Sequence, residues 1–533
     1  MTDQPAGGGR EGVEGVAGGD GPRRGALRGA RTCVIADHPL AAAAGQRALH
    51  DGGSAADAAI AMAAVLTVVQ PYMSHLGGDS FAMTYDAVSG AVEALNSSGP
   101  APASADADTY RTQGGIPDTG ALAVTVPGCV AGWGALHERQ GKLPWARVLE
   151  DAERIAREGY PASRALVRAV GVGRERVYPA GAFKTTFGHV AGDGGQLVVQ
   201  PELAGTFRAL AEGGAGAFYE GEIAEECLNT LNGLGAAFTP DDWRAPAEWT
   251  KPLAVEFGGV LIHTQPPPSR GLVTMLALRR LGRSEGGVSA QVEALRGAFQ
   301  AVDAEAGDPR VTGFDAAALL RAGGATAQAV AGGGGDGDTT ALVAIDGEGN
   351  AVSLIQSVFS AWGSGVLSAS TGVVFNNRMR GFSLEKGHPN ELAGGKRPMH
   401  TLHSYIVTSQ PNLPLAGEAE GPRDGALVAV GGTPGAHRQP QTNVQVLDAV
   451  VRGGADPQDA LDAARWALDT DGSLYAEART PDALGEALGG EGLAFEPLGA
   501  WDGWTGRACL AVVTGQGIAA AHDLRGEGIG IVT

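Results

Sequence analysis

One short stretch, Asp338-Thr339-Thr340-Ala341-Leu342-Val343-Ala344-Ile345-Asp346, joins two unlike textures. Before it runs a segment that cannot pack, Gly332 to Gly335 with Asp336 and Gly337, and within it the sequence turns apolar. Thr340 to Ile345 is expected to be a strand, Asp346-Gly347-Glu348-Gly349-Asn350 a hairpin loop, and Ala351 to Ser357 the return strand. A flexible leader feeding a Thr at the head of a buried strand suits a chain that cuts itself before that Thr. The bond to be cut must be strainable, and the hydroxyl behind it must be held still. Once Thr339 is a chain terminus, its α-amino group has an ordinary pKa of about 7.7–8 and can accept the Oγ proton near neutral pH. Oγ can then attack an amide carbonyl, and water or an amine can release the acyl group from the ester that forms. The same pattern also fits a plain hairpin in which Thr serves only as a β-former.

A residue with that task needs a rigid setting, and the totals bound what it can be. At 533 residues the chain could hold two to four domains' worth of core, or one large continuous unit. With 85 glycines, 44% apolar residues and only 5% aromatics, the core should be built of small side chains at close backbone approach. A net charge of −20 argues against nucleic acid and anionic membrane surfaces as partners. Cys33, Cys129, Cys227 and Cys509 are far apart and show no metal-binding spacing, so buried, reduced thiols and a cytoplasmic setting are expected, with no metal and no cofactor. Residues 1–30 read as a disordered Gly-rich leader without the apolar core of a signal peptide. The longest apolar run, Ala55 to Val69, contains Asp57 and falls short of a membrane span, and Ser54 with Asp57 has capping-box spacing for a buried helix.

Strands and helices alternate on both sides of Thr339. Strands are expected near Arg31–Ile35, Phe81–Tyr85, Ala91–Asn96, Leu253–Val255, Val260–Thr264, Gly372–Phe375, Leu402–Val407, Gly425–Val430, Leu510–Val513 and Gly517–Ala521. Helices are expected near Leu40–His50, Ala55–Val69, Gly128–Gln140, Pro144–Gly159, twice within 201–235, after the Pro266-Pro267-Pro268-Ser269 turn, over Gln441–Val451 and over Pro457–Leu468. With no βαβ repeat and no dinucleotide fingerprint, the order favours an α+β layered sandwich of mostly antiparallel sheets.

Several stretches, in order, resemble the γ-glutamyltransferase family from about residue 31 to the C-terminus. They are His38-Pro39-Leu40, Gly52-Gly53-Ser54-Ala55-Ala56-Asp57-Ala58-Ala59, Val126-Pro127-Gly128, Phe218-Tyr219-Glu220-Gly221, Pro266-Pro267-Pro268-Ser269, Asn350-Ala351-Val352-Ser353 and Asn376-Asn377. The resemblance implies a four-layer αββα sandwich of the N-terminal nucleophile hydrolase type, made as one precursor and cut immediately before the nucleophile. Here that bond is Asp338–Thr339, dividing the chain into a large fragment of 31–338 beyond its leader and a small fragment of 339–533. The resemblance implies that Ser357 hydrogen-bonds the nucleophile. It also implies that the loop Gly432-Thr433-Pro434-Gly435-Ala436 supplies oxyanion-stabilising amides, Gly435 and Ala436 among them. Ala436 stands where the family has Gly, so φ there is expected to be negative.

Departures from the family cluster where its members hold a glutamyl α-carboxylate and α-amino group. The family's Arg falls at Ser98, its return-strand Asn at Phe359, its Asp at Gly381, a Gln at Arg378, and its paired serines at His400 and Thr401. A γ-glutamyl donor would lose both charge partners, which makes it a poor expected substrate. The runs Ser353-Leu354-Ile355-Gln356-Ser357 and Arg397-Pro398-Met399-His400-Thr401 are more similar to the branch of plain amidohydrolases. Arg378, Arg397, His400 and Arg438 remain as titratable candidates, with His75 as a further lining residue. An arginine fork suits a carboxylate, so a small acidic amide is the expected substrate, with water or an amine as acceptor. The expected assembly is a heterodimer of the two fragments, open to further oligomerisation. An acyltransferase sharing every catalytic residue, and a non-catalytic binding protein of the same fold, are the alternatives.

Overall fold

The computed structural model describes residues 25–245, 247–323, 337–410, 425–480, 485 and 495–533. Two seven-stranded sheets form its centre. In the first, the order is Ile529–Val532, Cys33–Ala36, Gly337–Ile345, Ala351–Ser360, Asp79–Tyr85, Val92–Ser97 and Glu248–Thr250. In the second, it is Leu27–Gly29, Gly517–His522, Cys509–Thr514, Leu427–Gly432, Ser404–Ser409, Val260–Thr264 and Leu253–Phe257. Neighbours in both sheets run antiparallel.

Period-two alternation sorts the side chains between layers. Ala341, Val343 and Ile345 face the second sheet and pack with Ile406, Val430 and Ala511. Leu342 and Ala344 face the other way, against the helices Pro39–His50 and Ala55–Val69. Beyond the second sheet lie the helices Gly271–Leu281 and Val288–Glu305, packed on its outer face. The result is the αββα sandwich that the resemblance implies. Helix Ala55–Val69 is buried over its whole length, which its alanines permit, and the Ser54–Asp57 capping box closes its first turn. Asp57 Oδ2 also accepts from the amides of Lys142 and Leu143, so the cap anchors a neighbouring loop as well.

Some expectations shift. The leader's last residues belong to the fold, because Leu27–Gly29 pairs with Ile518–Ala520 at the sheet edge; residues 1–24, like the glycine run 332–335, lie outside the described residues. Gly372–Phe375 makes isolated bridges and no strand. The segment Pro457–Leu468 is a helix only to Asp462, after which Trp466–Leu468 pairs as a strand with Leu474–Ala476. Alternating apolar residues there fit either period, and pairing with a neighbour decides the outcome. Among the described residues, no helix is long and apolar enough to cross a membrane.

Candidate active site

The strand that holds Thr339, Gly337–Ile345, begins two residues before it and contains it at an irregularity. Asp338 pairs with Phe359 and Thr340 with Gln356, so the single residue Thr339 faces two, Ser357 and Val358. This is a β-bulge on the return strand, a local distortion that re-aims a side chain. Alternation places Thr339 on the same face as Ala341, toward the second sheet, and only 1% of it is exposed.

The residues just past Thr339 are fastened from the helix side. Thr340 donates its hydroxyl to Ser74 Oγ at 3.1 Å, and Gln356 Nε2 reaches the same oxygen at 3.2 Å and Ala63 O at 2.9 Å. The indole of Trp133 donates to Gln356 Oε1 at 3.2 Å. Asp37 accepts from the Ala341 amide at 3.3 Å through Oδ2, while its Oδ1 lies 3.0 Å from His522 Nε2. Thr339 is therefore held at the end of a clamped strand.

From Thr339 a row of side chains runs across the first sheet on one face. Ser357 lies opposite the bulge, Asp79 pairs with Ser357, and Ser98 follows one step beyond the Ser80–Ser97 pair. At roughly 4.8 Å per strand, Asp79 stands about 10 Å from Thr339. Ser357 Oγ accepts from the Phe359 amide at 2.7 Å, and Phe359 has φ of 83°, unfavourable for a side chain with a Cβ. Ser98 donates to Asn96 Oδ1 at 2.8 Å. Gly78 lets this row close up, because a Cβ there would lie 2.4 Å from Ser357 O.

Asp79 is a candidate that the sequence reading did not single out. It is fully buried, Oδ1 accepts from the Gly99 amide at 3.0 Å, and Oδ2 lies 3.4 Å from Arg378 Nε and 3.6 Å from His400 Nε2. Arg378 is equally buried, its Cζ 4.5 Å above the Phe359 ring, yet none of its side-chain nitrogens donates a hydrogen bond among the described residues. Neither ring nitrogen of His400 has such a partner, and its ring lies 5.0 Å from that of Phe81. Burial pushes Asp79 up to about 6 despite the opposing pull of Arg378, and draws Arg378 down to about 10. Burial, then the charges of Arg378 and Arg397, hold His400 well below the ordinary histidine range, so it is neutral. A polar cluster this short of hydrogen bonds has donors to spare for an anionic group. One signal was available: Asp79 occupies the inward position in the alternation Asp79, Phe81, Met83, Tyr85, where an apolar residue is the norm.

The other candidates separate. Thr401 is half-buried beside His400, and its carbonyl accepts from His403 Nδ1 at 3.0 Å. Arg397 pairs with Glu248 at 2.8 Å. Arg438 stacks on Trp504, with Cζ 4.1 Å from the ring centroid. His75 lies elsewhere, lining a cleft among the outer helices. The loop after strand Leu427–Gly432 packs its turn Ala436–Arg438 against the strand Gly337–Ile345. Gly435 has φ of 136° and Ala436 φ of 53°, so the expected negative φ at Ala436 is corrected. The chain must reverse sharply there, with the Gly435 carbonyl accepting from Arg438 N at 2.9 Å, and Ala takes the left-handed conformation that the family's Gly adopts freely. The amides of Gly435 and Ala436 donate to no acceptor among the described residues.

Comparison with known proteins follows the same lines. The profile of the family described as Gamma-glutamyltranspeptidase matches residues 41–533. The chain is 34% identical over 538 residues to the Glutathione hydrolase-like YwrD proenzyme of Bacillus subtilis (strain 168), covering 94% of this chain and 98% of that one. It is 34% identical over 462 residues to the Oxamate amidohydrolase proenzyme of Klebsiella pneumoniae, covering 82% and 84%. Among solved structures, a cephalosporin acylase from Bacillus halodurans superposes with a TM-score of 0.86 at 28% identity, covering 98% of this chain and 99% of that one.

Proposed function

The chain belongs to the γ-glutamyltranspeptidase family, an enzyme family with the N-terminal nucleophile hydrolase fold, and on that premise we propose that it hydrolyses a small amide bearing a carboxylate. It does so with Thr339, after cutting its own chain at Asp338–Thr339. In the processing step Thr339 Oγ adds to the Asp338 carbonyl carbon, the C–N bond breaks, and an ester replaces the amide. Water then cleaves that ester, leaving a carboxylate on Asp338 and a free α-amino group on Thr339. The bulge and the positive φ of Phe359, the residue opposite Asp338, put backbone distortion beside the bond that must break.

In turnover the freed amino group takes the Oγ proton as Oγ attacks the substrate carbonyl. The Gly435 and Ala436 amides receive the negative charge on the carbonyl oxygen. Collapse passes the proton to the departing nitrogen and leaves an acyl ester on Thr339, which water hydrolyses with the same amino group as base. Ser357 orients the nucleophile, and Arg378 with neutral His400 binds the carboxylate.

The observation that carries this reading is the buried, hydrogen-bond-poor Arg378 guanidinium at the far end of the Thr339–Ser357–Asp79 row. A glutamyl α-amino group would need an acid where this chain has Gly381, the half-buried last residue of the turn Arg378–Gly381, and Asp79 is already engaged by Arg378 and Gly99. The relative named for oxamate, itself an amide with a carboxylate, fits this class. In Arg378→Ala, KM for an acidic amide should rise at least tenfold while that for an uncharged amide of equal size stays within about twofold. An equal rise for both would remove Arg378 from this role. Transfer of the acyl group to an amine uses the same residues and is distinguished by product analysis with and without added amine.

A further inference from the structure

On the helix side of the first sheet, away from the face that Thr339 occupies, a cleft of about 250 Å³ opens between helices Ala180–Phe187 and Pro201–Gly213 and the segment 367–374. Phe187, Leu203, Leu367 and Val374 make its walls apolar, Thr185 stands at its exposed rim, and His75 lines it as well. His75 is 1% exposed. Its Nδ1 accepts from the Val374 amide at 3.2 Å, so that nitrogen bears no proton. Burial lowers the ring's pKa to about 3, which leaves it neutral with its proton on Nε2. That Nε2 finds no hydrogen-bond partner among the described residues.

A buried donor without an acceptor is destabilising, and an acceptor brought by a ligand removes that cost. Among the described residues no Lys or Arg lines the cleft, and the charged side chain that does, Glu202, would repel an anion. The size falls just under the roughly 300 Å³ at which drug-sized sites begin, so the occupant is small. From these features we propose that the cleft is a second ligand site, separate from the amide-cleaving centre, for a small uncharged molecule with an apolar body and one hydrogen-bond acceptor. The acceptor meets His75 Nε2, and the body lies between Phe187 and Leu203.

Acetophenone is a suitable probe, since it is neutral, has one carbonyl and contains no bond for an amidohydrolase to cut. Titrated into the processed enzyme and followed by ligand-observed NMR, it should bind saturably. Ethylbenzene, which lacks the acceptor, and benzoate, which carries charge, should each bind at least tenfold more weakly. His75→Leu should weaken acetophenone by about tenfold. Ala182→Trp, which fills the cleft from a half-buried rim position and leaves the core alone, should abolish binding. Arg378→Ala should leave it unchanged, which keeps this test independent of the amide-binding reading. Absence of saturation in the wild type, undiminished binding in Ala182→Trp, or loss in Arg378→Ala would each overturn the proposal.

Discussion

At the scale of single residues, the account turns on one hydroxyl and one buried ion pair. Thr339→Ala should yield a single uncut polypeptide without amidase activity on a denaturing gel, whereas Thr339→Ser, which keeps a hydroxyl, should process slowly. The α-amino base must be neutral to accept a proton, so kcat should rise with pH through roughly 7–8. Asp79 gives a second, opposite dependence. Its pKa is raised to about 6, so below that pH it is protonated and the Arg378 charge is left without its counter-ion. KM for an acidic amide should therefore fall as pH drops through about 6, while KM for a neutral amide stays flat. Asp79→Asn should show the lower KM at pH 7.5 and lose the dependence. Parallel pH profiles for both substrates would disconnect Asp79 from the binding group. Thr339, Ser357 and Arg378 stood out as candidates in the sequence through the resemblance to the family. Asp79 was not, since its role depends on a cross-strand register with Ser357 and on a partner nearly 300 residues away.

At the scale of elements, the hairpin around Thr339 was readable from alternation, and its strands only proved longer at the ends nearest the site. What alternation could not reveal was the bulge, because one extra residue leaves the apolar pattern of Ala341 to Ile345 untouched. The Gly435–Ala436 turn has the same lesson: Ala gave no hint of a positive φ that the neighbouring packing imposes. Ala436→Gly should raise stability by about 1 kcal/mol in chemical denaturation by relieving that conformation, with processing intact. Gly78→Ala should do the reverse, because its Cβ would collide with Ser357 O and force the Asp79 and Ser357 strands apart. Lower thermal stability together with slower self-cutting is the expected result, and normal processing in that variant would show that the close approach is dispensable.

At the scale of the whole molecule, the two expected fragments are woven together. The strand that contains Thr339, from that residue onward, and its return strand, both in the small fragment, lie between Cys33–Ala36 and Asp79–Tyr85 of the large one. The second sheet repeats the interleaving where Ser404–Ser409 pairs with Val260–Thr264. Separating the fragments would expose the inter-sheet core, so they should co-elute in native size-exclusion chromatography and part only in denaturant. The layer count was open to inference from the order of elements and the family resemblance, but the sheet order was not, because Cys33–Ala36 joins the nucleophile strand across some 300 residues of chain. The central claim is a cut that makes Thr339 a chain terminus, and intact-mass spectrometry of the purified protein tests it most directly. The account predicts two pieces of 338 and 195 (533 − 338) residues, before any trimming at residue 1, the lighter beginning at Thr339. A lighter piece beginning at another residue, or an undivided 533-residue chain that still cleaves amides, would contradict it.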